Sequence, residues 1–468
     1  MVPSIYPTGV TIYNPEKCWN GYTVFTLSLS QNSDPWSVLI DMNGDTVNRW
    51  HGLFGMPSKI LPGGYIMGNT AIRDRKYGFQ DMVDLVQVDW DGNITWKFNR
   101  YELIKDGKRK PQWMARQHHD YQREGNPVGY YVPGMEPLVN RGKTLILCHK
   151  NLKKTNISEK LLEDDTIIEV SWDGELIWEW LCSDHFEEMG FGEEARNALA
   201  RNPNMRDSGG GMGDWMHINS ISTLGPNQWF EQGDSRFHPD NIIWDGRQAN
   251  IIAITDKKTG KIVWQVGPNY TATTGDRNLG QIIGQHHAHM IPRGLPGEGN
   301  VLVFDNGGWA GYGAPNPGSS RGIDNALRDY SRVLEFDPCT LNIVWQYTPK
   351  EAGFTIPMSA FKFYSGFISS AQRLLNGNTL ITEGACGRIF EVTPGHEIVW
   401  EYINPYFGKR SGVNMVYRAY RVPYQWIPQI AEPEETTISR MDISKFRVFN
   451  SKAGQTKKVT RIQNHITR

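Results

Sequence analysis

A chain of 468 residues is long enough to bury a large core, as one repeat-built domain or as two or three ordinary ones. Lys plus Arg number 49 and Asp plus Glu 50, a formal net charge of -1, which argues against a general nucleic-acid or membrane-surface binder. With 12% aromatic residues, 17 Trp and 48 Gly, the composition points to short strands and tight turns, because rings suit a pleated surface and glycine supplies positive φ.

No run approaches the ~18 apolar residues of a membrane-spanning helix. Residues 1–7 show neither a basic n-region nor an apolar h-region, so no secretory signal is expected. Cys18, Cys148, Cys182, Cys339 and Cys386 stand singly, without a CxxC pair, which fits reduced thiols. The expected compartment is the cytoplasm, or the periplasm if a signal has been trimmed.

In chain order, a repeat emerges. Residues 38–50 (VLIDMNGDTVNRW) read as strand, turn, strand, closing on Trp50. The pattern returns at 85–96 (LVQVDWDGNITW), 167–178 (IIEVSWDGELIW), 251–264 (IIAITDKKTGKIVW), 333–345 (VLEFDPCTLNIVW) and 389–400 (IFEVTPGHEIVW). Asp-Gly or a similar pair between alternating apolar runs is a strong hairpin signal. A second kind of hairpin, on a Gly/Asn turn, lies between these at 61–66, 140–146, 299–301 and 374–380. Each unit therefore holds about four strands, and six such units predict an all-β fold, a six-bladed β-propeller. One domain over 1–468 is expected, with 13–29 and 415–422 sharing in ring closure.

The Trp landmarks are spaced 46, 82, 86, 81 and 55 residues apart. The long spacings exceed the ~40–50 of a plain blade, so loops have been inserted where function is usually carried. Residues 184–204 have helix-like spacing and run through glycines 209–213, so 185–213 reads either as a lid or as an inert surface excursion. Gly307–Gly313 is a Gly/aromatic loop suited to walling a pocket. Residues 445–468 read as an outer strand or a frayed tail.

Three histidine-bearing stretches share one layout: His118-His119-Asp120, Asp214 through His217 to Ser220, and Gly284-Gln285-His286-His287-Ala288-His289. Each precedes the Gly/Asn hairpin of its unit, so each should sit at the entry of an innermost strand and meet the others near the axis. The corresponding fifth position holds Ser369, Ser370 and Gln372. Arg236 follows His217 by 19 residues, about one strand and turn, and could bring a guanidinium to the same pocket. Histidine serves as nucleophile or proton shuttle near neutral pH, and arginine clamps a tetrahedral oxyanion. Three histidines could also hold Zn²⁺, but there is no HExxH, and no metal or cofactor is assigned. His51, His149, His185, His238, His396 and His465 match no such stretch and read as ordinary.

The strings His118–Asp120, Asp214–Ser220, Ser235-Arg236, Gly284–His286 with Phe304–Gly307, and Asn376–Leu380 together resemble the bacterial arylsulfate sulfotransferases over about residues 50–402. The resemblance implies a six-bladed propeller and ping-pong transfer of a sulfuryl group from an aryl sulfate to a phenol through a channel sulfohistidine. It implies His286 as nucleophile, with His287 a rival. His217 and Arg236 would then polarise the sulfuryl oxygens, and His119 would act as acid/base or donor. His118, His287, His289, Asn219, Ser370 and Gln372 complete the expected substrate-binding set. Typical members carry an N-terminal β-sandwich and a disulfide, neither of which is expected here. The competing expectations are a lyase with an Arg clamp, a quinone-binding dehydrogenase and a non-catalytic scaffold. The expected partner is a small aromatic anion, with no nucleic acid and no membrane span, and a homo-oligomer is left open.

Overall fold

Each Trp-ended hairpin becomes the third and fourth strands of a four-stranded antiparallel sheet, and the Gly/Asn hairpins join first strand to second. The computed structural model describes residues 7–27, 36–206, 212–408 and 412–440. Six sheets form the six blades of a β-propeller. Their innermost strands, from blade 1 to blade 6, are Val416–Val422, Phe54–Leu61, Gln117–Arg123, Ile218–Thr223, His286–Met290 and Ser370–Arg373. Blade 1 closes the ring by taking its inner strand from the C-terminal side, Val416–Val422 against Tyr22–Leu27. Gly9–Tyr13 adds a fifth strand to the outer edge of blade 6.

The turns explain the hairpins. Gly92 and Gly174 occupy φ of +90° and +83° in Asp-Gly turns, where an L side chain would be strained. In all six blades the register slips between the third and fourth strands, a bulge that increases local twist. That twist carries the closing Trp across to the next blade. Each indole Nε1–H donates to a carbonyl in the neighbour's third-to-fourth-strand turn. The bonds are Trp50 to Asp89 (3.2 Å), Trp96 to Trp172 (2.7 Å) and Trp178 to Lys257 (3.0 Å). Trp264 to Pro338 (2.8 Å), Trp345 to Pro394 (3.0 Å) and Trp400 to Met42 (2.8 Å) complete the circle. Between blades, apolar faces interlock, and buried pairs such as Arg373–Glu335 and Arg421–Glu391 stitch inner strands to their neighbours.

The lower end of the channel is plugged. In the 124–143 loop, Val128, Tyr130 and Val132 are buried among side chains from several blades. Asn126 staples the plug, accepting from Val128 and Gly129 N–H and donating to the Tyr130 and Met135 carbonyls. Between blades 3 and 4, the 3₁₀ turn Cys182–Met189 and helix Glu193–Arg201 pack Phe186, Met189 and Leu199 against Trp180 and Trp215. Residues 207–211 of the expected lid, and the whole 445–468 tail, lie outside the described residues. All five cysteines are free. Among the described residues no helix is long and apolar enough to cross a membrane.

Trp400 is fully buried and its turn acceptor, the Met42 carbonyl, is protein-enclosed, so Trp400→Phe should cost about 1–3 kcal/mol for the orphaned carbonyl. Trp400→Ala should cost about 3–5 kcal/mol by adding a cavity. Trp345→Phe, at an exposed hydrogen bond, should cost less because water replaces the indole. Denaturant unfolding of the three variants checks the order; equal losses for Trp400→Phe and Trp345→Phe would sink it.

Candidate active site

The inner strands begin irregularly, and that irregularity builds the site. Arg116, His119, His217, His287, Ile368 and Ser369 all have φ between +51° and +93°. Left-handed backbone at such residues costs on the order of 1–3 kcal/mol each, and clusters at functional sites. Bulges in the strands of blades 3, 4 and 5 break the strict alternation of faces. As a result His286 and His287 both serve the interior, at different depths.

At the upper level, His119, His217 and His286 converge from three blades. The His119 and His217 rings meet edge to face at 4.5 Å. His217 Nδ1 donates to Asp214 Oδ2 at 2.5 Å, and its Nε2 has no hydrogen-bond partner among the described residues. The tautomer of His286 follows from Asn306. That amide donates to the Ser365 and Ile368 carbonyls, so its Oδ1 must accept from His286 Nδ1–H at 2.8 Å. His286 Nε2 is then the lone-pair nitrogen, and it accepts the Ile368 N–H at 3.2 Å. Burial, and next the Arg247 guanidinium, hold the His286 imidazole well below its ordinary value of 6.5. Burial and the neighbouring His217 do the same to His119.

At the lower level, His287 Nε2 meets Tyr420 OH at 3.3 Å and His289 Nε2 meets Tyr130 OH at 2.9 Å. Burial brings His289 down to about 4. Beside them Asp120 bridges Lys59 (2.7 Å) and Arg418 (3.0 Å), two cations on one carboxylate. Together with the Tyr130 plug, this makes the channel a blind well.

Arg236 is not in the pocket. It sits in the 3₁₀ turn Ser235–Phe237, its guanidinium on Asp234 at 2.7 Å and its side chain 44% exposed. The reason is topological: one strand after His217 the chain is at the far face, and only after the return strand Ile242–Gly246 is it back at the mouth. The arginine there is Arg247, whose backbone N–H bonds the His217 carbonyl and whose guanidinium donates to Gln248 Oε1 and the Trp309 carbonyl. Counting two strands instead of one would have found it.

Other expected contacts are diverted. Gln372 spends both ends of its amide on the Arg421 backbone, tying blade 6 to blade 1. Asn219 donates to the Gln285 carbonyl, so it positions the strand that carries His286. Ser370 is buried in the strand ladder opposite Thr382. His118 stands behind His119, Nδ1 to Nδ1 at 2.8 Å, and stacks on His149. Asp214 and Asn306, whose roles the strings around them do not reveal, orient the imidazoles.

Beside the mouth opens a recess of ≈ 1830 Å³ whose walls include Arg247, Trp309, Tyr364, Phe361 and Phe367. His119, His217, His286, His287 and His289 do not line it; His396 does. Arg247 is the link between this aromatic recess and the imidazole cluster.

Fold and site together define a propeller whose buried histidines line a blind central well. The arylsulfotransferase (ASST) family model matches residues 137–405, more than half of the chain, and the chain belongs to that family. No curated protein matches the sequence. Similar solved structures include a protein of unknown function from Bacteroides caccae, at 10% identity over 86% of this chain and 99% of that one, with a TM-score of 0.43. Virginiamycin B lyase from Staphylococcus aureus shares 10% identity over 86% of this chain and 88% of its own, with a TM-score of 0.33.

Arg247→Gln should weaken binding of nitrophenyl sulfate about 10–100-fold, the loss of a charge-assisted contact, while Arg236→Ala leaves it unchanged. Calorimetric titration of both variants decides between the two arginines.

Proposed function

We propose that this protein transfers a sulfuryl group from an aryl sulfate to a phenolic acceptor through a sulfohistidine on His286. The observation that carries the proposal is the fixed neutral tautomer of His286. Asn306 holds the Nδ1 proton, and burial beside Arg247 keeps Nε2 unprotonated. Nε2 attacks sulfur, an N–S bond forms, and the S–O(aryl) bond breaks with its electron pair leaving on the phenolate oxygen. His217 supplies the proton to that oxygen, and the Asp214 carboxylate receives the charge of the imidazolium when it is protonated. The acceptor phenol then returns a proton to His217 as its oxygen attacks sulfur and the N–S bond breaks.

Arg247 and His119 donate to the sulfuryl oxygens, and Trp309, Tyr364 and Phe367 pack the aryl group. As Nε2 turns to sulfur, the Ile368 N–H that capped it is left beside the transferring group as a further donor. The substrate class and the covalent step rest on this geometry together with family membership.

Intact mass after brief incubation with nitrophenyl sulfate should show a gain of one sulfuryl group, absent in His286→Ala and present in His287→Ala. His217→Gln should slow phenol release by roughly 10²–10⁴-fold. Phenol release without any mass gain, or a gain that survives His286→Ala, would overturn the assignment.

The groups facing His286 are Arg247, His217, Arg418 and His119. Because this imidazole titrates well below 6.5, the sulfurylation rate should stay flat on acidification through pH 6.5 and fall only below it. Asn306→Asp places a carboxylate against Nδ1, raises the imidazole and should move the acid limb toward neutrality. Rapid-quench mass measurements across pH test both statements.

A further inference from the structure

Behind the imidazole cluster, three adjacent strands of blade 3 present a second group of donors. His118 comes from the first strand, Gln117–Arg123. His149 comes from the second, Thr144–Lys153, and Asp165 from the third, Leu161–Val170, where the two stand directly opposite each other in the ladder. All three are fully buried. His118 Nε2 lies 3.3 Å from Asp165 Oδ1, and His149 Nε2 lies 3.9 Å from it. Neither Nε2 makes a hydrogen bond; Asp165 Oδ1 accepts the Ile218 N–H at 3.2 Å, and Asp165 Oδ2 makes none. Three buried polar atoms without a hydrogen-bond partner are costly, since burial removes the water that would satisfy them.

From this convergence we infer that His118, His149 and Asp165 form a binding site for a divalent transition-metal ion of the Zn²⁺ class. The donor set is two imidazoles and one carboxylate, the mixture that suits Zn²⁺ better than Mg²⁺ or Ca²⁺. Separations of 3.3 and 3.9 Å are close to the edges of a tetrahedron with metal–ligand bonds of about 2.0–2.2 Å. The outer partners agree. His149 Nδ1 bonds Asp81 Oδ1 at 2.7 Å, so its Nε2 is the nitrogen turned to the ion, in the carboxylate–histidine–metal pattern. Arg73 and Arg116 hold Asp81 in turn.

Among the described residues Asp165 has no cation within ion-pair distance other than these two histidines, so the ion would also supply the countercharge. The His118 and His149 rings stack at 3.6 Å with an interplanar angle of 13°, so their lone pairs run side by side. A common ion would require the His149 ring to tilt out of this stack about its Asp81 bond.

The site reaches the well through a single hydrogen bond. An ion on His118 Nε2 leaves the proton on Nδ1, which donates to His119 Nδ1 at 2.8 Å. His119 must then carry its own proton on Nε2, as a donor toward the cluster. The ion thus sets a tautomer in the well without touching a substrate.

The test uses the untagged full chain. After chelation, added Co²⁺ should bind at one per chain with the visible absorption of a tetrahedral site, and Zn²⁺ should displace it. Zn²⁺ should also raise the melting temperature of the chelated protein. His149→Gln and Asp165→Asn should each abolish the absorption, while His185→Ala, a histidine remote from the site, leaves it intact. If those variants fail to fold, the wild-type titration and melting shift decide alone. No cobalt absorption and no melting shift in the wild type would mean that Asp165 and His118 share a proton instead, and the inference would fall. None of these readouts depends on sulfuryl transfer.

Discussion

Six indole N–H groups hold the ring together. Each blade donates from its fourth strand into the third-to-fourth-strand turn of the next, and the sixth bond, from Trp400 to Met42, joins the end of the series to its beginning. A ring of this kind is all-or-none in a way that a stack is not, because opening one joint frees both neighbours. The bulge ahead of each Trp sets the twist that lets the indole reach. The same twist presents the entries of the inner strands to a common axis.

Within that frame the well is an exercise in holding imidazoles dry. Burial keeps His119, His286 and His287 neutral, and side chains chosen for geometry fix which nitrogen is protonated. Asn306 and Asp214 do so differently: a neutral amide oxygen leaves its partner imidazole neutral, and a carboxylate can stabilise a cation. In the proposed reaction two histidines on the same axis thus take opposite roles from their neighbours. The left-handed residues at the strand entries are the conformational cost of that arrangement.

Much of this was legible in the chain. The six Trp-ended hairpins and the Gly/Asn turns gave the blades, and their sharing of 13–29 and 415–422 gave the closure, because hairpin signals are local and repeat. The convergence of His119, His217 and His286 followed from their equal place before each first hairpin. What failed was anything that required knowing which end of a strand a loop occupies. Arg236 was placed one strand short, and Arg247 was missed for the same reason. Gln372 looked like a pocket amide because sequence does not reveal a side chain spent on a neighbouring backbone. His149 looked ordinary because its partners, His118 and Asp165, lie on different strands and meet only across the ladder.

The plug formed by Val128, Tyr130 and Val132 has a consequence for traffic. A propeller channel open at both faces would let one molecule arrive while another departs. Here, among the described residues, the plug closes the lower face, with the Lys59–Asp120–Arg418 ion pairs packed beside the lower histidines. In the proposed reaction donor and acceptor would therefore take turns at the mouth, with the sulfuryl group held on His286 in between.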